Sequence, residues 1–318
     1  MSKIRTILAG SLVSAVALTA AATAARAEFI NILTGGTSGV YYPLGVALSE
    51  IYAKGIEGSR TQVQATKASV ENLNLLASGK GELAFALGDS VQSAWAGDTE
   101  AGFKTPLTNL RAVGGIYNNY VQVVAEAAAG VKTITDLKGK SISVGAPASG
   151  TELNARAIFK AAGMSYDDMS KVEYLPFGES AELIKNRQIQ STLSSAGLGA
   201  AFIKDLATTH EITVVEVPAE IVNAIGAPYV ADVIPAGTYK GQDADVPTAA
   251  ITNILVTSDK VSEETVYQMT KLLFENIDAL KSAHSAAAAI DAANAINALP
   301  IPLHPGAEKY YREIGVLK

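Results

Sequence analysis

Two short loops carry the residues best suited to chemistry. Residues 34–39 read Thr-Gly-Gly-Thr-Ser-Gly, and residues 146–151 read Ala-Pro-Ala-Ser-Gly-Thr. Each follows a short apolar run and opens an amphipathic segment. In open parallel sheets ligands sit beyond the carboxyl ends of strands, where helix starts present unpaired amides and a partial positive charge. The hydroxyls of Thr34, Thr37 and Ser38 in one loop, and of Ser149 and Thr151 in the other, suit a small anion, most simply a carboxylate. Each charge-assisted hydrogen bond there is worth roughly 1.5–3 kcal/mol.

Other chemistries fit poorly. Residues 35–40 contain no lysine, so they are no phosphate-binding Gly-x-x-x-x-Gly-Lys-Ser/Thr loop, and their glycine spacing differs from Gly-x-Gly-x-x-Gly. No Gly-x-Ser-x-Gly elbow surrounds Ser38 or Ser149, and no nucleophile–base pair is visible, so no catalytic residue and no cofactor are expected. The chain has no cysteine, which excludes disulfides and thiolate metal sites, and its only histidines are His210, His284 and His304. His304, within "PIPLHPG", reads as a loop-packing residue. The formal net charge of −6 and the lack of a long basic run argue against a nucleic-acid partner.

The elements that position these loops repeat one pattern: apolar run, turn, helical stretch. The 318 residues hold roughly two domains' worth of chain. Runs at 29–33, 62–66, 83–87, 141–145 and 189–193 each lead through Gly, Ser or Asp into a helical segment. That alternation reads as parallel sheets covered by helices, an α/β fold. Ser69 is placed as an N-cap, and Pro43 suits a first helical turn. Residues 111–127 read as a crossing from a first lobe to a second, and 248–257 as the return. Val266, Met269, Leu273, Ile277 and Leu280 mark one helical face, and the alanine-rich 283–298 reads as an extension of that helix. The expected division is 28–120 with 253–318 as lobe 1, and 121–252 as lobe 2.

Residues 1–27 read as a cleaved secretory signal: Lys3 and Arg5, a short apolar run over 7–22, then Ala25-Arg26-Ala27. Its removal would take the formal charge from −6 to −9. No later segment offers about 18 uncharged apolar residues, so no membrane insertion is expected after cleavage.

Four blocks, "LTGGTSGVYYPLG", "ATKASVENLNLLASGKGELAFALGDS", "LKGKSISVGAPASGTELNARAIFKAAG" and "PIPLHPGAEKYYRE", occur in an order and spacing that resemble the TAXI family of extracytoplasmic solute receptors. These serve tripartite ATP-independent periplasmic (TRAP) transporters. The resemblance spans nearly all of 28–318, and its first block is the most specific. It implies a two-lobed type II periplasmic-binding-protein fold with a ligand cleft between lobes, no catalysis, and delivery of a glutamate- or 2-oxoglutarate-like dicarboxylate to TRAP permease subunits. It assigns ligand contacts to Thr34, Gly35, Ser38, Gly39 and Tyr41, to Ser69 and Asn72, to Asp89 and Ser90, and to Ser149, Gly150 and Thr151.

One stretch departs from the family pattern. Where relatives often carry Ile-Asp-Ala-Ala-Phe, residues 189–195 read Ile-Gln-Ser-Thr-Leu-Ser-Ser, so the acid is missing and hydroxyls are added, with Ser194 and Ser195 as candidate ligand contacts of a different substrate. The residues themselves leave alternatives open. Arg156 could meet a ligand carboxylate or form a surface ion pair, Asp89 could take a ligand amine or cap its helix, and Tyr41 could face the cleft or the core. An ABC importer, a sensor system or a secreted two-lobed enzyme would use the same architecture, and an adhesive surface protein would have no small ligand.

Overall fold

The computed structural model describes residues 28–318, so the signal expected over 1–27 lies outside the described residues. In chain order the elements are β1 (Phe29–Leu33), α1 (Tyr41–Gly55), β2 (Arg60–Gln64), α2 (Ser69–Ala77), β3 (Leu83–Leu87), α3 (Gly88–Ala96) and β4 (Leu110–Glu126). Then follow β5 (Ser141–Ser143), α4 (Gly150–Ala161), β6 (Lys171–Glu173), α5 (Phe177–Lys185), β7 (Ser191–Ala196), α6 (Ala201–Thr209), β8 (Ile212–Val215), α7 (Ala219–Ile225) and β9 (Val230–Ile234). The chain closes with β10 (Val246–Ser258), α8 (Glu263–Glu275), α9 (Ile277–Ala283) and α10 (Pro305–Glu313). The fold is α/β with a parallel-rich sheet flanked by helices, as expected.

The strands pair in the order β2-β1-β3-β10-β4-β7-β5-β6, with β8 on β4 and β9 on β10. Parallel pairs form two groups, β2-β1-β3 and β7-β5-β6. Instead of two separate sheets, the described residues form one continuous hydrogen-bonded path. The long strands β4 and β10 cause this, because they pair antiparallel with each other, while β10 also takes β9 at its start and β3 near its end, and β4 takes β7 and β8 along its C-terminal end. The apolar cores nevertheless segregate. Leu44, Leu48, Tyr52, Phe85, Met269 and Tyr311 pack together, with Leu73, Leu76, Val91 and Phe103 across the sheet. Val121, Val123, Ile158, Phe159 and Leu193 form another core, with Ile184, Ile203 and Leu206 opposite. Strand β3, "LAFAL", is buried throughout, as a strand covered on both faces must be.

Helix α8 starts where Ser262 accepts the Thr265 amide at 3.1 Å, with Glu263 and Glu264 in the first turn. The expected continuous helix breaks at Asn276, and Ile277 and Leu280 belong to α9. The alanine-rich tail is not helical either. His284 caps a short 3-10 turn over Ser285–Ala289, and Asp291 then binds the Ala293 amide and the Asn294 side chain. Local side-chain acceptors override the alanine propensity.

His304 is buried between the ends of these elements. Its Nδ1 accepts the Gly306 amide at 3.1 Å, which leaves Nε2 as the donor to the Val261 carbonyl at 3.1 Å. Burial holds the ring's pKa below its ordinary value, with the Val261 bond opposing. A proton on Nδ1 would face a donor, so the folded protein favours the neutral ring. Unfolded chains therefore take up more protons below about pH 6.5, and stability falls as pH drops through that value. Urea unfolding at pH 7.5 and 5.5 should show this decline, and His304→Asn, which keeps a capping oxygen, should reduce it.

Candidate functional site

Four helices open onto one cavity of about 110 Å³. That is several times the space one water molecule needs, so the cavity suits a small ligand. Tyr41 of α1, Ser69 of α2, Gly150 of α4 and Phe177 of α5 line it, and each is the first residue of its helix. Their backbone amides have no hydrogen-bond acceptor among the described residues. Unpaired first-turn donors and the positive ends of four helix dipoles thus converge without an opposing carboxylate in the lining. Lys67 is the one charged residue there among the described residues.

The hydroxyls are prepared for the same task. Ser149 Oγ accepts the Glu152 amide at 3.2 Å and caps α4. Thr151 Oγ1 accepts the Ser195 amide at 3.2 Å, and Ser69 Oγ accepts the Leu87 amide at 3.1 Å. In each case a lone pair is committed to a backbone donor, which leaves the hydroxyl proton to turn toward an acceptor in the cavity. Ser69 was expected to cap α2. Ala68 occupies that position, with a φ of 70°, and the Ser69 oxygen reaches β3 instead. Ala148, with a φ of 58°, is the matching strained residue in the facing loop, and its carbonyl accepts the Glu71 amide at 3.2 Å. Left-handed alanines cost of order 1–3 kcal/mol and persist where the surroundings over-determine them.

The two glycine loops of the sequence meet here. Gly35 and Gly39 come from the first, and Ser149, Gly150 and Thr151 from the second. Tyr41 faces both ways. It lines the cavity, yet its ring stacks on Phe85 at 5.0 Å and its hydroxyl donates to Asn253 Oδ1. Burial pushes its phenol pKa far up, so it stays neutral. Ser195 also lines the cavity, and its Oγ donates to Asn154 Oδ1 at 2.6 Å.

The remaining expected contacts lie outside the lining. Thr34 is buried, with its hydroxyl on the Gln64 carbonyl at 2.9 Å. Ser38 lines a separate surface groove with Gly178, and Ser194 bonds the Gln122 carbonyl at 3.1 Å within the sheet. Asn72 is fully buried and staples the loop rather than facing the cavity: Nδ2 donates to Thr34 O at 2.6 Å and Phe85 O at 2.9 Å, and Oδ1 takes Thr66 Oγ1 at 2.6 Å. Ser90 is buried, and its amide donates to Asp89 Oδ1 at 2.7 Å. Arg156 pairs with Glu152 at 2.7 Å and donates to the Glu100 carbonyl at 2.9 Å, away from the cavity.

Asp89 bridges the second group of elements to the first. Its Oδ2 accepts Asn154 Nδ2 at 2.6 Å and the Tyr229 hydroxyl at 2.7 Å. Burial raises its carboxyl above the ordinary range, and the bonds from Tyr229, Ser90 and Asn154 oppose that shift. Lining residues without a sequence signal include Thr66, Asn119, Pro176 and Phe177, which long-range packing brings in.

The chain matches the model of the NMT1-like family over residues 32–315. Solved structures with a similar fold include a periplasmic transporter (TM-score 0.55, 13% identity, 92% of this chain and 94% of that one). Others are a putative L-cystine ABC transporter from Listeria monocytogenes (TM-score 0.51, 15% identity, 83% and 98%) and the alkanesulfonate-binding protein SsuA from Xanthomonas axonopodis pv. citri bound to MOPS (TM-score 0.50, 14% identity, 92% and 92%). At these identities the likeness is one of fold.

Proposed function

We propose, from the premise that this chain belongs to the NMT1-like family, that it is an extracytoplasmic solute receptor that captures a small organic anion and hands it to a membrane import system. The observation that carries this reading is the convergence of four unpartnered helix starts on one small cavity without a carboxylate. The hydroxyls of Ser69, Ser149 and Thr151 accept backbone amides, those of Tyr41, Thr66 and Ser195 donate to other protein groups, and no histidine lines the cavity, so the site fits binding rather than turnover.

The mechanism is a hinged trap. Lobe 1 comprises 28–120 and 253–318, and lobe 2 comprises 121–252, with β4 and β10 as the two crossing strands. The cross-contacts of Asp89 and of Glu71 with Ala148 belong to the closed form. A ligand touching donors on both lobes favours closure, and only that difference in affinity moves the equilibrium. Residues 1–27 would direct secretion to the periplasm. Among the described residues no helix is long and apolar enough to cross a membrane.

An ABC-type permease is the preferred partner, since the solved neighbours' names point to such systems. A TRAP permease rests on the resemblance of the loop motifs to the TAXI family. A glutamate- or 2-oxoglutarate-like dicarboxylate would place its second carboxylate near Lys67, the lining's one charge. Isothermal titration with a broad panel of organic carboxylates and sulfonates, paired with small-angle scattering, should give one binding class and a smaller radius of gyration on binding. A panel without any binder would overturn the reading.

A further inference from the structure

We infer that Asp89, acting through Asn154, fixes Ser195 as a hydrogen-bond acceptor in the cavity wall, so that the ligand carries a hydroxyl or amino donor beside its anionic group. The inference rests on the receptor reading above and specifies its substrate class.

The polarity follows from the bonds in order. The Ser90 amide can only donate, and it binds Asp89 Oδ1 at 2.7 Å. Asp89 Oδ2 then faces Asn154 at 2.6 Å and Tyr229 at 2.7 Å. Tyr229 gives its one proton to Asp89, so its oxygen accepts the second Asn154 Nδ2 proton at 2.8 Å. Both amide protons of Asn154 are committed. Turning that amide over would set its oxygen against a carboxylate oxygen and a phenol lone pair. Oδ1 of Asn154 is therefore the atom that faces Ser195, and the Ser195 hydroxyl donates to it at 2.6 Å. The serine's only proton points away from the cavity, and its lone pairs remain on the cavity side. Asn154 is fully buried and Ser195 nearly so, which makes a mismatched ligand atom costly. The wall thus has opposite polarities: the Ser149 and Thr151 hydroxyls have protons to give, and Ser195 has only lone pairs.

Asp89 and Asn154 are positioning residues in this scheme, and Asp89→Asn tests them. The Ser90 amide would hold the new side-chain oxygen, so the new NH2 would face Asn154. That favours the overturned Asn154 amide, whose NH2 would donate to Ser195 and release the serine proton toward the cavity. The probes are matched series on one skeleton: propionate, lactate and alanine; succinate, malate and aspartate; glutarate, 2-hydroxyglutarate and glutamate; ethanesulfonate, 2-hydroxyethanesulfonate and 2-aminoethanesulfonate. In the series that binds, a donor-bearing member should bind about tenfold more tightly than its plain counterpart. In Asp89→Asn that ratio should fall to one or below, and in Ser195→Ala it should fall toward one. Equal binding of plain and donor-bearing members by the natural protein would overturn the inference while leaving the receptor reading intact. So would variants that weaken both members together with the ratio preserved, since a merely structural role would do that. No binding in any series would sink the receptor reading and this inference with it. Circular dichroism establishes folding, and if Asp89→Asn does not fold, the Ser195→Ala ratio decides.

Discussion

Gly150→Val is expected to weaken ligand capture by about a hundredfold while leaving the unliganded protein's unfolding free energy within about 0.5 kcal/mol of its natural value. A Cβ at position 150 would lie 2.6 Å from Ser69 Oγ, 3.0 Å from Ser69 Cβ and 2.7 Å from Leu87 Cδ1. Those atoms belong to α2 and β3, whereas Gly150 opens α4. Overpacking of this kind costs about 1–3 kcal/mol, and a branched side chain lies at the upper end. In a hinged protein the strain falls only on the closed form, because opening separates the surfaces. Apparent affinity then drops in proportion to the closed population. Titration calorimetry should record the weakened binding, and scattering should show no compaction with ligand. Gly36→Ala is the control. It also lines the cavity, but a Cβ there meets nothing within 4 Å, so its affinity should stay within a few-fold. Global destabilisation by Gly150→Val would mean that these surfaces never part.

The loops that build the cavity were legible because their signal is local. A glycine-rich turn with hydroxyls between an apolar run and an amphipathic stretch serves either a tight turn or a ligand, and both such loops reach the cavity. Gly145 shows how strictly: its φ is 91°, and a Cβ there would lie 2.6 Å from Thr151 Cγ2. The same locality explains what was missed. The long strands β4 and β10 could be found as β-branched runs, but nothing in their sequence says that each pairs with different neighbours at its two ends. Phe177 and Thr66 reach the cavity through helix and strand packing, which leaves no periodic trace. The expected helix over 283–298 failed because alanine propensity is a weak prior beside the His284 and Asp291 acceptors. Among the expected contacts, Asn72 and Asp89 lie near helix starts and Arg156 further along its helix, all outside the cavity lining. Polar side chains near a helix start can serve the ligand, the loop or the neighbouring element, and only the third dimension separates these uses.

Asn72 offers the sharpest separation, because its two possible roles predict different observables. As a ligand contact, its replacement by the isosteric aspartate would lower affinity and leave folding intact. The observed bonds predict otherwise. Nδ2 of Asn72 faces the carbonyl oxygens of Thr34, Phe85 and, at 3.3 Å, Leu33, all acceptors. One orientation of an aspartate would set a carboxylate oxygen against all three, inside a site with no solvent exposure. Turning the carboxylate over changes nothing, since its two oxygens are equivalent and the Thr66 hydroxyl satisfies only one of them. An unpaired charge in such a place costs about 3–5 kcal/mol, unless the group takes up a proton at a comparable penalty. Asn72→Ala removes the staple without adding charge, and the Thr34 carbonyl keeps the Thr66 hydroxyl, so it should cost only about 1–2 kcal/mol. Urea unfolding should therefore rank natural protein, Asn72→Ala and Asn72→Asp in falling order of stability. The same ranking should appear in ligand affinity, because the chain from Thr34 to Tyr41 that Asn72 anchors is the one that presents α1 to the cavity. An aspartate variant with undiminished stability would return Asn72 to the list of ligand contacts.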